Sequence, residues 1–95
     1  MPDDATEGGD AYISPPVQRA ARLLRCIAEG DAVTNMARTA RALDINRTTL
    51  LRLLRTLEAE RFIEPAGEAG WRIGPGLIGS AAHAFASGDL AEAAQ

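Results

Sequence analysis

The 95-residue sequence has a single cysteine, no lysine and only 4% aromatic residues. Because Cys26 has no second cysteine to pair with, the chain can form no internal disulfide and no multi-thiolate metal site. No apolar run approaches the ~18 residues that a membrane-spanning helix needs. The N-terminal stretch MPDDATEGGD has neither the cationic nor the apolar region of a secretory signal. These absences predict a soluble, cytoplasmic protein.

Patterns typical of catalysis are also missing. His83 is the only histidine, which excludes a catalytic histidine pair and a multi-histidine metal site. The glycines between residues 67 and 79 lack the Gly-Lys-Ser/Thr ending of a phosphate-binding loop. The sequence therefore predicts no enzyme, no cofactor and no metal. A length below the ~100 to 200 residues typical of one domain predicts a single small domain with tails.

The charges are unevenly distributed along the chain. The net charge is −3, yet all ten cations are arginines between positions 19 and 72. Only seven carboxylates fall in that stretch, which gives it a charge of +3. The remaining carboxylates lie in the tails: Asp3, Asp4, Glu7, Asp10, Asp89 and Glu92. Residues 1 to 14, rich in Gly, Asp and Ala, are predicted to form a disordered acidic leader.

Three segments show apolar residues at helical spacing, roughly 16 to 29, 35 or 37 to 43, and 47 to 60. Gly30 ends the first segment, and Asn46 is a favourable N-cap for the third. The third segment has a leucine stripe opposite a polar, cationic face. The stripe consists of Leu50, Leu53, Leu54 and Leu57, and the opposite face of Thr48, Arg52 and Arg55. A short helix, a tight turn and a longer helix of this kind predict a helix-turn-helix.

The residues after the third helix predict a β-wing and a fourth helix. Short strands are expected at 62 to 64 and 71 to 73, joined by the turn sequence PAGEAG. The fold class is therefore mainly α, a winged helix-turn-helix over residues 15 to 74. A linker helix at roughly 76 to 87 follows within residues 75 to 95, where the chain stops while still amphipathic. We expect Leu77, Ala81 and Phe85 to form a dimer contact, and a further segment to follow.

A helix-turn-helix reads DNA through side chains near the start of its second helix, with phosphate-binding donors alongside. Arginine can bind guanine in a fork, and the amides at helix N-termini suit phosphate oxygens. We expect helix 47 to 60 in the major groove and wing 62 to 73 on the flanking backbone or minor groove. The predicted DNA-binding residues are Thr34, Asn35, Asn46, Arg47, Thr48, Thr49, Arg52, Arg55 and Arg72.

Two simpler interpretations stay open. Exposed arginines can be solvated and paired with a carboxylate three or four residues away, as Arg55 with Glu58, and the two threonines can be helix-start residues without contacts. Winged helices also serve as protein interaction or dimerisation modules that bind no DNA. A positive, acid-free outer face on the third helix would favour DNA over that alternative.

Three stretches carry a resemblance to a known family: VQRAARLLRCIA, ALDINRTTLLRLLRTLEAERFIE and WRIGPGLIGSAAHAFASGDLAEAA. Over roughly residues 16 to 95 the sequence resembles the IclR-type bacterial transcriptional regulators. The most specific matches are Thr49, Arg52, Leu53, Leu54, Thr56, Leu57, Phe62, Ile63, Arg72, Ile73, Gly74 and Pro75.

The resemblance implies a DNA-binding domain followed by a linker and a separate effector-binding domain. It implies homodimers or dimers of dimers that bind double-stranded operator DNA in the bacterial nucleoid, to repress or activate transcription. A small-molecule effector would bind a domain absent from this chain.

The sequence departs from the family pattern at four positions. Arg61 stands where a glycine usually ends the third helix, so a left-handed arginine or a different cap is required. Ala37 and Thr39 replace a usual hydroxyl cap and a usual core leucine of the second helix. Leu51 replaces an often polar residue, and the preferred operator is expected to differ accordingly.

Overall fold

The computed structural model describes residues 12 to 88 and contains four helices and a two-stranded antiparallel sheet. This architecture confirms the predicted mainly α fold class, a winged helix-turn-helix. Most of the predicted acidic leader and the residues after 88 lie outside the described range. The elements are α1 (Pro15–Ala28), α2 (Met36–Ala42), α3 (Arg47–Ala59), β1 (Ile63–Pro65), β2 (Trp71–Ile73) and α4 (Pro75–Ala86).

The start of α2 is decided by Asn35. Its side chain accepts a hydrogen bond from the Arg38 backbone N–H at 3.0 Å, so the helix needs no hydroxyl at position 37. The first wing strand begins one residue later than predicted, because the Phe62 amide bonds to the Leu57 carbonyl at the end of α3. The two strands then pair with Ile63 opposite Ile73.

The core lies between the three N-terminal helices and the first wing strand. Leu23 of α1, Leu50 and Leu54 of α3, and Ile63 of β1 are its largest fully buried side chains. The predicted leucine stripe of α3 therefore faces the interior, although Leu53 is only half-buried. Each fully buried leucine stabilises the fold by about 1.5 to 3 kcal/mol.

Each of the first three helices ends in the same type of hydrogen-bonded turn. After α3, the Arg61 N–H bonds to the Glu58 carbonyl and the Phe62 N–H to the Leu57 carbonyl, each at 2.9 Å. This pair of bonds is the Schellman motif, which needs a left-handed residue. Arg61 supplies it with φ 64°, so the left-handed arginine, one of the two alternatives left open by the sequence, is the one that forms.

The turn that ends α3 also contacts the start of α4. The Arg61 carbonyl accepts the Gly76 N–H at 2.7 Å. A Cβ added at Gly76 would lie 2.6 Å from that carbonyl oxygen, so only glycine fits. The end of α3 and the beginning of α4 are therefore locked together through backbone atoms.

The loop between α1 and α2 attaches to the wing, a contact that the sequence did not predict. The Ala32 carbonyl accepts the Trp71 N–H at 2.9 Å, and a side chain at Gly70 would collide with it. Val33 is buried with φ 58°, an unfavourable conformation for a β-branched residue. Its N–H bonds to the Asp31 side chain at 3.2 Å, which helps to hold the loop in this conformation.

Thr39 occupies the core position where the family pattern has leucine. It is 3% exposed, and its hydroxyl oxygen is buried without a hydrogen-bond partner in the described part of the chain. Such a group costs about 1 to 3 kcal/mol. The substitution therefore keeps the packing position of α2 but not its full stability.

Within residues 12 to 88, no helix is both long enough and apolar enough to cross a membrane.

We predict that Arg61→Gly stabilises the protein, because glycine removes the cost of a left-handed side chain. The net gain should be about 0.5 to 1 kcal/mol after the larger chain entropy of glycine is subtracted. Arg55→Gly, at an exposed position inside α3, is the matched control and should cost about 1 kcal/mol. Urea unfolding at one protein concentration measures both, and equal losses in the two variants would contradict the prediction.

Candidate nucleic-acid interface

The outer face of α3 presents the side chains that the sequence placed there. Thr48, Arg52 and Arg55 are exposed on the side opposite the buried leucines, and Arg47 is exposed at the start of the helix. Thr49 is half-buried, so its contribution to this surface is smaller. The first turns of α3 therefore expose two guanidinium groups and one hydroxyl that a binding partner can contact.

These arginines have no carboxylate partners among residues 12 to 88. The ion pairs found there join Arg38 to Asp31 at 3.7 Å and Arg72 to Glu64 at 2.6 Å. The alternative pairing of Arg55 with Glu58 does not form within 4.0 Å. The outer face of α3 therefore keeps its positive charge.

The N-termini of α2 and α3 are capped in the same way. The Asn46 side chain accepts the Thr49 N–H at 2.7 Å, as Asn35 does for Arg38 at the start of α2. Neither helix has an acidic residue in its first turn, so the positive ends of both helix dipoles are uncompensated locally. Thr34, Asn35 and Asn46 are all exposed, which suits contact with an anion.

The wing carries an ion pair between its strands. Glu64 and Arg72 face each other in the antiparallel register, and the Arg72 Nε donates to a Glu64 oxygen at 2.6 Å. Both side chains remain partly exposed, 38% for Glu64 and 65% for Arg72. Trp71, by contrast, is partly buried and packs against the hydrophobic core.

An open groove of about 700 Å³ lies between α1, α2 and the start of α3. Arg19 of α1, Arg41 of α2 and Arg47 of α3 line it, together with Asp44 from the turn. Arg19 and Arg41 were not among the predicted site residues. No local pattern marks them, because their proximity depends on how the helices cross.

The exposed face of α4 differs in part from the predicted dimer contact. Ala81 and Phe85 are exposed, Phe85 to 61%, whereas Leu77 is half-buried. Ile78, which the prediction omitted, is 57% exposed. The apolar face of α4 therefore includes Ile78 in addition to the predicted residues.

A family model described as the IclR helix-turn-helix domain matches residues 16–67, which is more than half of the chain. The chain belongs to this family. The match confirms the resemblance identified in the sequence, and it makes α2 and α3 the DNA-binding helix-turn-helix of a transcription regulator. An IclR helix-turn-helix domain binds DNA and is not a catalytic domain. No curated protein and no solved structure shows significant similarity to the chain.

We predict that Asn46→Ala destabilises the protein by about 1 kcal/mol, because the Thr49 N–H loses its acceptor. Asn46→Ser should retain most of the stability, since a serine hydroxyl can accept the same hydrogen bond. Urea unfolding of both variants tests this prediction. Equal stability of the alanine and serine variants would show that the cap contributes nothing.

Proposed function

We propose that the chain binds double-stranded DNA sequence-specifically as part of a transcriptional regulator. In this proposal α3 occupies the major groove, and the wing over residues 62 to 73 contacts the flanking backbone or minor groove. The supporting observation is the outer face of α3, where Thr48, Arg52 and Arg55 are exposed and neither arginine has a carboxylate within 4.0 Å in the described structure. The opposite face of the same helix is held in the core.

The side chains have separable roles in this proposal. Arg52 lies in the second turn of α3, where its guanidinium fork can reach guanine, and Arg47 at the start of the helix can meet the adjacent phosphate backbone. Thr48 and Thr49 supply hydroxyl or methyl contacts, and Arg55 lies two turns after Thr48 to meet a phosphate. At the two helix N-termini, Thr34 and the N-caps Asn35 and Asn46 lie beside backbone amides that suit phosphate oxygens.

On the wing, a DNA phosphate would compete with the Glu64 carboxylate for Arg72. Arg72 already forms a short charge-assisted hydrogen bond with Glu64, which fixes the direction of its side chain. A DNA phosphate approaching the exposed side of Arg72 would share or replace that carboxylate. The pair therefore holds Arg72 ready for a phosphate while limiting the gain in affinity.

The charge distribution favours DNA over a protein-interaction module. Glu58 of α3 and its C-cap residue Glu60 lie at the C-terminal end of the helix, away from the turns that would meet bases. A neutralised outer face would have favoured a protein partner. The N-terminal half of α3 instead keeps unpaired positive charge in the part of the chain that the structure describes.

We further propose that the regulator acts as a homodimer or dimer of dimers through α4. Ala81 and Phe85, with Leu77 beside them, form the proposed contact, and Ile78 extends it. The two DNA-binding domains of a dimer bind half-sites about 34 Å apart, which is one helical turn of DNA. A single DNA-binding domain would bind more weakly, because it lacks a linked second domain whose effective concentration at the neighbouring half-site is high.

We predict that Arg52→Ala weakens specific DNA binding by about 1 to 3 kcal/mol without unfolding the protein. The measurement is fluorescence anisotropy on a duplex selected by the wild-type chain from a random library, at fixed salt. Arg25→Ala is the matched control, because Arg25 is also exposed but lies at the end of α1 outside the groove. Equal affinities of wild type and Arg52→Ala for the selected duplex would contradict the role given to Arg52.

We predict that Phe85→Ser shifts the chain towards monomer in sedimentation velocity, because it removes the largest exposed apolar side chain of α4. Val17→Ser is the control, since Val17 is 68% exposed on α1. An unchanged sedimentation profile for Phe85→Ser, or a wild-type chain that is monomeric both alone and on the selected duplex, would rule out this contact.

A further inference from the structure

We infer that the groove between α1, α2 and α3 is an anion site that holds a backbone phosphate of the bound DNA through Arg19, Arg41 and Arg47. The inference rests on the proposed function and deepens it. It assigns phosphate binding to Arg19 and Arg41, two residues outside the helix-turn-helix caps and the outer face of α3.

Three separate elements contribute the three arginines. Arg19 comes from the first turns of α1, Arg41 from the last turn of α2 and Arg47 from the start of α3. Like charges brought to one groove repel each other, and a bound anion would relieve this repulsion. None of the three guanidinium groups has a carboxylate within 4.0 Å in the described range, whereas Arg38 and Arg72 each have one.

The rest of the lining leaves the groove positive and accessible. Asp44 is the one carboxylate that lines it, so three positive charges face one negative charge. Small side chains at Ala37 and Ala40 form part of the wall. The groove is shallow and largely open to solvent, which suits a phosphate carried on a polymer better than an enclosed small molecule.

The position of the groove relates it to the reading helix. Asn46, Arg47 and Thr49 belong both to its lining and to the first turn of α3. In a helix-turn-helix, that end of the recognition helix meets the base edges. A phosphate next to the bound bases can therefore reach the groove while α3 remains in the major groove. Such a contact orients the helix but carries no sequence information.

The first test measures DNA affinity against salt for the full chain and for Arg41→Gln and Arg19→Gln. We expect each variant to lower the slope of log affinity against log salt by about 0.9, the value for one lost phosphate contact. Each should weaken binding to the selected duplex and to a scrambled duplex by the same factor. Arg25→Gln is the matched control and should leave the slope unchanged. Arg41→Lys, which keeps the charge, should restore most of it.

The second test asks whether the groove takes a free anion instead. Thermal unfolding is measured in inorganic phosphate and in chloride at equal ionic strength, for wild type and Arg41→Gln; the same melting curves show that each variant folds. A salt slope unchanged in both Arg41→Gln and Arg19→Gln overturns the inference. If phosphate then stabilises only the wild type, the groove binds free phosphate and not DNA.

Failure of the proposed function has a different signature. In that case the wild-type chain itself binds no duplex at low salt, and the inference falls with it. Wild-type binding that loses its sequence preference in Arg41→Gln would also overturn the inference, because a phosphate contact weakens all sequences equally.

Discussion

The burial of one leucine face of α3 is the constraint on which the rest of the structure depends. Leu50 and Leu54 are completely buried and cluster with Leu23 of α1 and Ile63 of β1. Rotating the helix would bring these leucines into water and arginines into the core, and both changes are costly. The outward direction of Arg52 therefore follows from apolar packing on the opposite side, and the candidate surface needs no interaction of its own to stay in place.

Tight backbone turns at the helix ends, together with this small core, fix the relative directions of the helices and the wing. Asp44 and Arg61 adopt left-handed conformations without being glycines, and each closes the helix that precedes it. Asp44 directs the chain from α2 into the turn before α3, and Arg61 directs it from α3 towards the wing and α4. The Ala32 carbonyl then attaches the loop after α1 to the wing. Local strain is thus tolerated where it sets the relative directions of the elements that would meet DNA.

Net charge is a poor guide to the partner of this protein. The overall value of −3 arises from carboxylates in the two tails, while the helices and wing carry an excess of arginine. Electrostatic attraction depends on the local field near the contact surface, which decays within about 10 Å at 0.1 M salt. Arg47 and Arg52 therefore matter more to a polyanion than distant acidic residues do, and the family membership agrees with this local view.

The sequence by itself determined the three helices, the fourth helix and the wing, because helical periodicity, caps and turn residues are local properties. The family followed from the resemblance of its motifs. For Arg61 the sequence left a left-handed residue and a different cap as alternatives, and the structure selected the first. It also indicated the outer face of α3, since a buried leucine stripe defines its opposite. Only the tertiary structure decided which arginines pair with carboxylates, that Ile78 is exposed on α4 while Leu77 is half-buried, and that Arg19 and Arg41 share a groove. These features join residues from different elements, so they depend on crossing geometry that no local pattern encodes.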